Sequence, residues 1–204
     1  MIGLCGAHRT GKTTLARAFA EKHDMEFVQT SASEVFKEFG LNPATRYAFD
    51  TRLSIQEEIL KRFDKQYAEV GLKPAITDRT PLDMLAYTMA EATQDHVPEE
   101  LQARFKKYVQ NCIDVTNKRF GVLLVVQPGI KIVAEEGKAA LNEAYIEHLN
   151  SIILGLSVDE RIKAAHFYIP RYMTDKEERL AALDFAVNRA GKRAEAERES
   201  AVLH

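Results

Sequence analysis

An α/β fold, a parallel sheet with helices on both faces, follows from three features of the sequence. Short apolar runs alternate with stretches of helical periodicity along the chain, the pattern of a three-layer sandwich with right-handed crossovers. Val122-Leu-Leu-Val-Val126 is apolar without alternation, as a parallel strand covered on both faces reads. The chain has 204 residues, 46% of them hydrophobic, enough to close one sizeable core.

The elements are predicted in order. Ile2 to Cys5 is the first strand, and a helix begins near Lys12 with Leu15, Ala18 and Phe19 at helical spacing. Glu26 to Val28 is a second strand. Ser31-Ala-Ser-Glu34 has the spacing of a capping box and opens a short helix that Gly40 and Pro43 close. Thr51 to Val70 is a long helix with Ile55, Ile59, Phe63 and Tyr67 every four residues. Arg52 and Gln56 share an adjoining face. Pro74 to Asp78 is the third strand. Thr80-Pro81 is an N-cap followed by proline at the first helical position. His96-Val97-Pro98 ends that helix, and another runs from Glu99 to Lys118. After the strand Val122 to Val126 come a polar loop, a helix to Leu156, and a strand from Ala164 to Ile169. Thr174-Asp-Lys-Glu177 is a second capping-box pattern, opening a helix with Leu180, Leu183 and Val187 on one side. A single domain over residues 1–190 is expected, with a mobile lid at about 128–140 and a charged, fraying tail over 191–204.

Composition excludes several classes. Lys plus Arg total 28 and Asp plus Glu 30, a net charge of -2, which disfavours a protein built to hold nucleic acid by its phosphates. Cys5 and Cys112 form no cluster, so neither a disulfide framework nor a zinc site is indicated. No apolar run has the length of a membrane span, and no charged leader precedes the first strand. A cytoplasmic setting is expected, the host cytoplasm if the gene is viral.

The strongest local signal is Gly6-Ala7-His8-Arg9-Thr10-Gly11-Lys12-Thr13, a GxxxxGK[ST] loop between a strand and a helix. In such a loop Gly6 turns the chain, successive N–H groups form an anion nest, and Gly11 permits close approach of a phosphate. Lys12 reaches the terminal phosphates and the Thr13 hydroxyl ligates Mg²⁺. His8, Arg9, Thr10 and Thr14 complete the nucleotide-binding stretch. A second constellation, Asp78-Arg79-Thr80, closes the third strand at the sheet edge where ligands bind. Asp78 suits a metal-holding or proton-accepting role, and Arg79 beside it suits charge neutralisation on phosphate.

Together, the loop, Asp78-Arg79-Thr80 with Pro81-Leu82-Asp83, and the Arg52-Leu-Ser-Ile-Gln56 helix resemble the small P-loop kinases over about residues 1–175. These are the thymidylate, deoxynucleoside and nicotinamide-riboside kinase-like proteins, with phage-encoded AAA-type members among them. The resemblance implies a P-loop NTPase sandwich of five parallel strands in the order 2-3-1-4-5, and ATP and Mg²⁺ as cofactors. Lys12, Asp78 and Arg79 would be catalytic, and Thr13 and Asp78 would hold the metal. Arg52 and Gln56 would line the acceptor pocket, and Arg171 would flank the adenine. Arg46, Asp50 and Arg52 form a charged cluster suited to an acceptor already bearing a phosphate. A nucleoside monophosphate is therefore the first expectation and a nucleoside the second. The chain departs from the family in its lid: Pro128 to Ala139 contains no arginine, only Lys131 and Lys138, and Lys138 is the substrate-side candidate. Either a lysine substitutes, or Arg79 carries the role, or a basic residue comes from outside the loop. Glu34 and Asp50 are lesser candidates for the acid.

A kinase acting on a modified base in DNA or on a vitamin-like riboside is one alternative. A nucleotide-binding switch NTPase is another. The partner expected is a small nucleotide or nucleoside. Nucleic acid is not favoured, no membrane is involved, and a homodimer is left open.

Overall fold

The computed structural model describes residues 1–42, 45, 47–92, 97–131 and 142–202. Five strands, β1 (Ile2–Cys5), β2 (Glu26–Val28), β3 (Ala75–Thr77), β4 (Val122–Val126) and β5 (Ala165–Ile169), form one parallel sheet in the order β2-β3-β1-β4-β5. The expected strand order is therefore met. Ile2 is in register with Ile76 on one side and Val122 on the other. The chain moves to one side of β1 for β2 and β3 and to the other for β4 and β5. A crevice thus opens at the carboxyl end of β1, where open α/β sheets take their ligands.

Among the described residues the helices are α1 (Lys12–Lys22), α2 (Ala32–Glu38), α3 (Phe49–Glu69), α4 (Pro81–Ala90), α5 (Glu99–Arg119), α6 (Glu143–Ser157) and α7 (Lys176–Val202). The two sheet faces are buried in separate cores. Leu123 and Val125 of β4 point into the core that holds Phe63, Tyr67, Tyr108 and Leu149 from α3, α5 and α6. Leu124 and Val126 point into the other, with Leu15 and Phe19 of α1 and Leu180 and Leu183 of α7. This is why β4 shows no alternation in sequence. Cys5 and Cys112 are buried free thiols. Among the described residues, no helix is long and apolar enough to cross a membrane.

Three local expectations change. Ser31 precedes α2 as expected, but its side chain makes no cap and pairs with Ser33 Oγ instead. The cap of α7 falls one residue later than expected: Asp175 Oδ1 accepts from Glu177 N and Glu178 N (2.9 and 3.0 Å). The charged stretch expected to fray continues α7 to Val202. Its Ala, Glu, Lys and Arg residues are strong helix formers, and Arg193 pairs with Glu197 one turn on.

An open apolar groove of about 970 Å³ lies between α6, β5 and α7, lined by Leu154, Phe167, Tyr168 and Phe185. It contains none of the residues of the nucleotide loop.

Candidate active site

The loop between β1 and α1 is shaped by two glycines. Gly6 has φ +151°, and a Cβ there would lie 2.5 Å from the Val126 carbonyl oxygen; Gly11 has φ +85°. Within the loop Thr10 Oγ1 donates to the Ala7 carbonyl (3.1 Å). Lys12 is buried, and its Nζ donates to the Gly6 and Ala7 carbonyls at 2.7 and 2.6 Å. Burial, reinforced by the charge of Arg79, lowers its pKa to about 8.

The strand-end residues come to the same place. The Thr13 hydroxyl donates to Asp78 Oδ2, so the two residues expected to hold a metal are in contact. Both supply oxygen ligands, the hard donor set that Mg²⁺ takes. Arg79 is half-buried with its guanidinium 5.9 Å from the Tyr87 ring centroid, and its carbonyl accepts from Tyr67 Oη (2.9 Å). Burial alone would lower its pKa. Tyr87 and Asp83 outweigh burial and keep the guanidinium charged.

Asp83 does more than the sequence suggested. It closes the expected N-terminal turn of α4 by accepting from Thr80 N and Thr80 Oγ1 (2.8 Å each). Its other oxygen accepts from Gly6 N (2.9 Å). One carboxylate, 1% exposed, thus ties the start of the phosphate loop to the end of β3. Burial pushes its pKa up against the pull of Lys12 and Arg79.

Beyond Arg79 an aromatic wall begins. His8 Nδ1 is 3.1 Å from Tyr87 Oη, and the His8, Tyr87 and Tyr145 rings lie 6.1–6.4 Å apart. Burial and then the charges of Lys12, Arg79 and Arg9 lower the pKa of His8, so its ring is neutral at physiological pH. Tyr145 is raised to about 12 by burial and by Glu91 and Tyr87, which places it electrostatically next to the Arg52–Glu91 pair. Arg52 Nη2 reaches Glu91 Oε1 (3.3 Å) and the Thr45 carbonyl (3.0 Å), and its guanidinium sits over Phe36 and Tyr47. Two polar atoms in this region are buried with no partner: Arg52 Nε and Gln56 Oε1.

Lys12, Thr13, Asp78 and Arg79 therefore converge, and the aromatic wall leads from them to Arg52 and Glu91. Gln56 is one helical turn beyond Arg52 and is buried. Asp50 is not with them: it is exposed and accepts from Thr51 N (2.6 Å) at the start of α3. Glu34 is also exposed, and Thr14 follows Thr13 in the first turn of α1, where both are exposed. Arg171 makes a two-pronged ion pair with Glu147 on α6 (2.5 and 2.6 Å). Arg46, Lys138 and residues 132–141, most of the expected lid, lie outside the described residues. Tyr87, Tyr145 and Glu91 were not foreseen as site residues. Their only signal in the sequence is helical position, which is shared by many surface residues.

A family model described as AAA domain matches residues 1–117, the stretch carrying the loop, Asp78, Arg79 and Asp83. The chain belongs to the AAA domain family. No curated protein matches the sequence. Among solved structures, this AAA domain is similar to deoxyadenosine kinase from M. mycoides with products dCMP and a flexible dCDP bound. The TM-score is 0.62 at 16% identity, over 92% of this chain and 98% of that one. It is similar to the NadR protein in complex with NR, with a TM-score of 0.60 at 15% identity, over 91% of this chain and 50% of that one. It is also similar to the YorR protein from Bacillus subtilis in complex with phosphorylated GDP (TM-score 0.54, 13% identity, 92% and 95% covered). At these identities the likeness is one of fold. The AAA domain shares its sheet and helical layers with this deoxyadenosine kinase and with the NadR and YorR proteins.

Proposed function

We propose that the protein is a phosphotransferase that moves the terminal phosphoryl group of ATP to a small acceptor of the nucleoside class. The observation that carries this is the continuity of two sites. The phosphate loop with its cation and its Thr13–Asp78 pair is joined through His8, Tyr87 and Tyr145 to the Arg52–Glu91 pair, beside which Arg52 Nε and Gln56 Oε1 are buried and unpartnered. Buried polar groups are rarely left unpaired, so a ligand that bonds them is expected. A switch NTPase needs no such second pocket. The deoxyadenosine kinase of similar fold supports the reading, and both it and the YorR protein have nucleotides bound.

Lys12 and the loop amides would hold the donor phosphates, with Arg79 offsetting charge as the phosphoryl group moves. Thr13 and Asp78 would hold Mg²⁺, which supplies charge neutralisation on the phosphates when bound. Asp83 is committed to three donors, which leaves Asp78 as the carboxylate beside the reaction. Gln56 offers its amide oxygen to an N–H donor on the acceptor.

The charge expected to favour a monophosphate is partly accounted for, because Arg52 already faces Glu91. This moves the preference from nucleoside monophosphate to nucleoside. The test is ADP release from MgATP with a panel of nucleosides and their monophosphates. Stimulation by one or more nucleosides is expected. Stimulation by monophosphates alone would overturn the acceptor class, and hydrolysis indifferent to every acceptor would overturn the kinase reading.

Lys12 gives a pH prediction. The charged ammonium is the form that binds phosphate, and it is lost as pH rises through about 8. MgATP affinity measured by calorimetry is expected to weaken about tenfold per pH unit above that point. Stability moves the opposite way. Between about pH 8 and the ordinary value of 10.5 the unfolded chain binds the proton that the native state has lost. This term therefore adds stability as pH rises through that window. An affinity flat from pH 7 to 10 would contradict the assignment.

A further inference from the structure

Arg179, in the first turn of α7, is a buried arginine (4% exposed) with an unusual set of partners. Its Nη1 donates to the Thr10 carbonyl in the phosphate loop (2.8 Å), and its Nε to the Met173 carbonyl (2.7 Å). Nη2 is buried with no partner, and among the described residues no carboxylate pairs with the guanidinium. Burial lowers its pKa, with no opposing charge. A cation taken out of water without a counter-charge is costly, and it is retained here against a loop built for anions.

The geometry of the Thr10–Gly11 peptide shows what the contact does. In a trans peptide the C=O and the following N–H point in opposite directions. Holding the Thr10 oxygen outward on Arg179 fixes the Gly11 N–H on the opposite side of the peptide plane. The same contact limits the space at Gly11, where a Cβ would come within 3.2 Å of Arg179 Nη1.

Resting on the nucleotide-binding reading above, we propose that Arg179 is a positioning residue of the donor site. It sets the Thr10–Gly11 peptide so that the Gly11 amide serves the donor phosphates, and it contributes an uncompensated positive charge beside them.

The test compares wild type with Arg179→Met and Arg179→Lys, using calorimetric MgATP binding, melting temperature, and separate KM values for donor and acceptor. Wild type must bind MgATP; if it does not, the nucleotide reading itself fails. Given that it binds, Arg179→Met is expected to weaken MgATP about 10- to 100-fold while the acceptor KM stays within about twofold. Lysine keeps the charge but cannot span both carbonyls, so Arg179→Lys is expected to fall between the two. A purely structural brace would lower the melting temperature and leave donor affinity unchanged, and that result would overturn the proposal. Should Arg179→Met fail to fold, Arg179→Lys decides it: wild-type donor affinity there overturns it, and a donor-specific loss supports it. Guanidinium at millimolar concentration is expected to restore part of the donor affinity of Arg179→Ala. No restoration in a folded protein would also count against it.

Discussion

Lys12→Met is expected to lower turnover about 10²–10³-fold while leaving the fold at least as stable as before. The rate loss follows from removing a preorganised cation from the point where phosphate charge is handled, a change that in buried sites has effects of about that size. Stability behaves differently because the ammonium is buried and its pKa is depressed to about 8, so the native state holds this charge at a disadvantage. Its bonds to the Gly6 and Ala7 carbonyls are lost in the variant, but Ala7 keeps its bond from Thr10 Oγ1. The two effects offset one another or favour the variant. The checks are steady-state kinetics with a responsive acceptor and a thermal melt on the same preparation. Activity within tenfold of wild type in a folded protein would remove Lys12 from the catalytic role.

Asp83→Ala is expected to be the most damaging single change to the site's architecture, costing about 3–5 kcal/mol of stability. Three buried donors, Gly6 N, Thr80 N and Thr80 Oγ1, lose their acceptor together. For a chain of this size each kcal/mol moves the melting temperature by about 2–4 °C, so a fall of about 10 °C is expected. Asp83→Asn retains one acceptor oxygen but turns an NH₂ toward N–H donors on the other side, so an intermediate loss is expected. Donor binding should weaken in both variants, because the start of the phosphate loop is no longer tied to β3. An unchanged melt for Asp83→Ala would show that the three contacts contribute little.

The contrast between Lys12 and Asp83 illustrates what could be seen in the sequence. Lys12, Thr13, Gly6 and Gly11 are legible because they sit in one short loop whose spacing is imposed by the shape of a phosphate. Asp83 is legible only as a helix-capping residue, since its bonds to Thr80 are three residues long. Its bond to Gly6 spans 77 residues and has no local pattern. Arg52 and Gln56 could be placed on one helical face, but their burial and the Glu91 partner depend on the packing of α2, α4 and α5 around α3. Asp50, two residues before Arg52, lies on a different face, which adjacency in sequence concealed.

By itself the sequence determined the parallel α/β architecture, the order of elements and the phosphate loop, because helical and strand periodicities and a tight anion-binding turn are short-range properties. The tertiary structure alone decided which polar groups surround that loop. Asp83 reaches it from α4, the aromatic wall from α4 and α6, and Arg179 across 169 residues from α7. Those contacts form only when the layers close over the sheet, since a buried hydrogen bond between distant segments is specified by packing geometry and leaves no periodic trace in the chain.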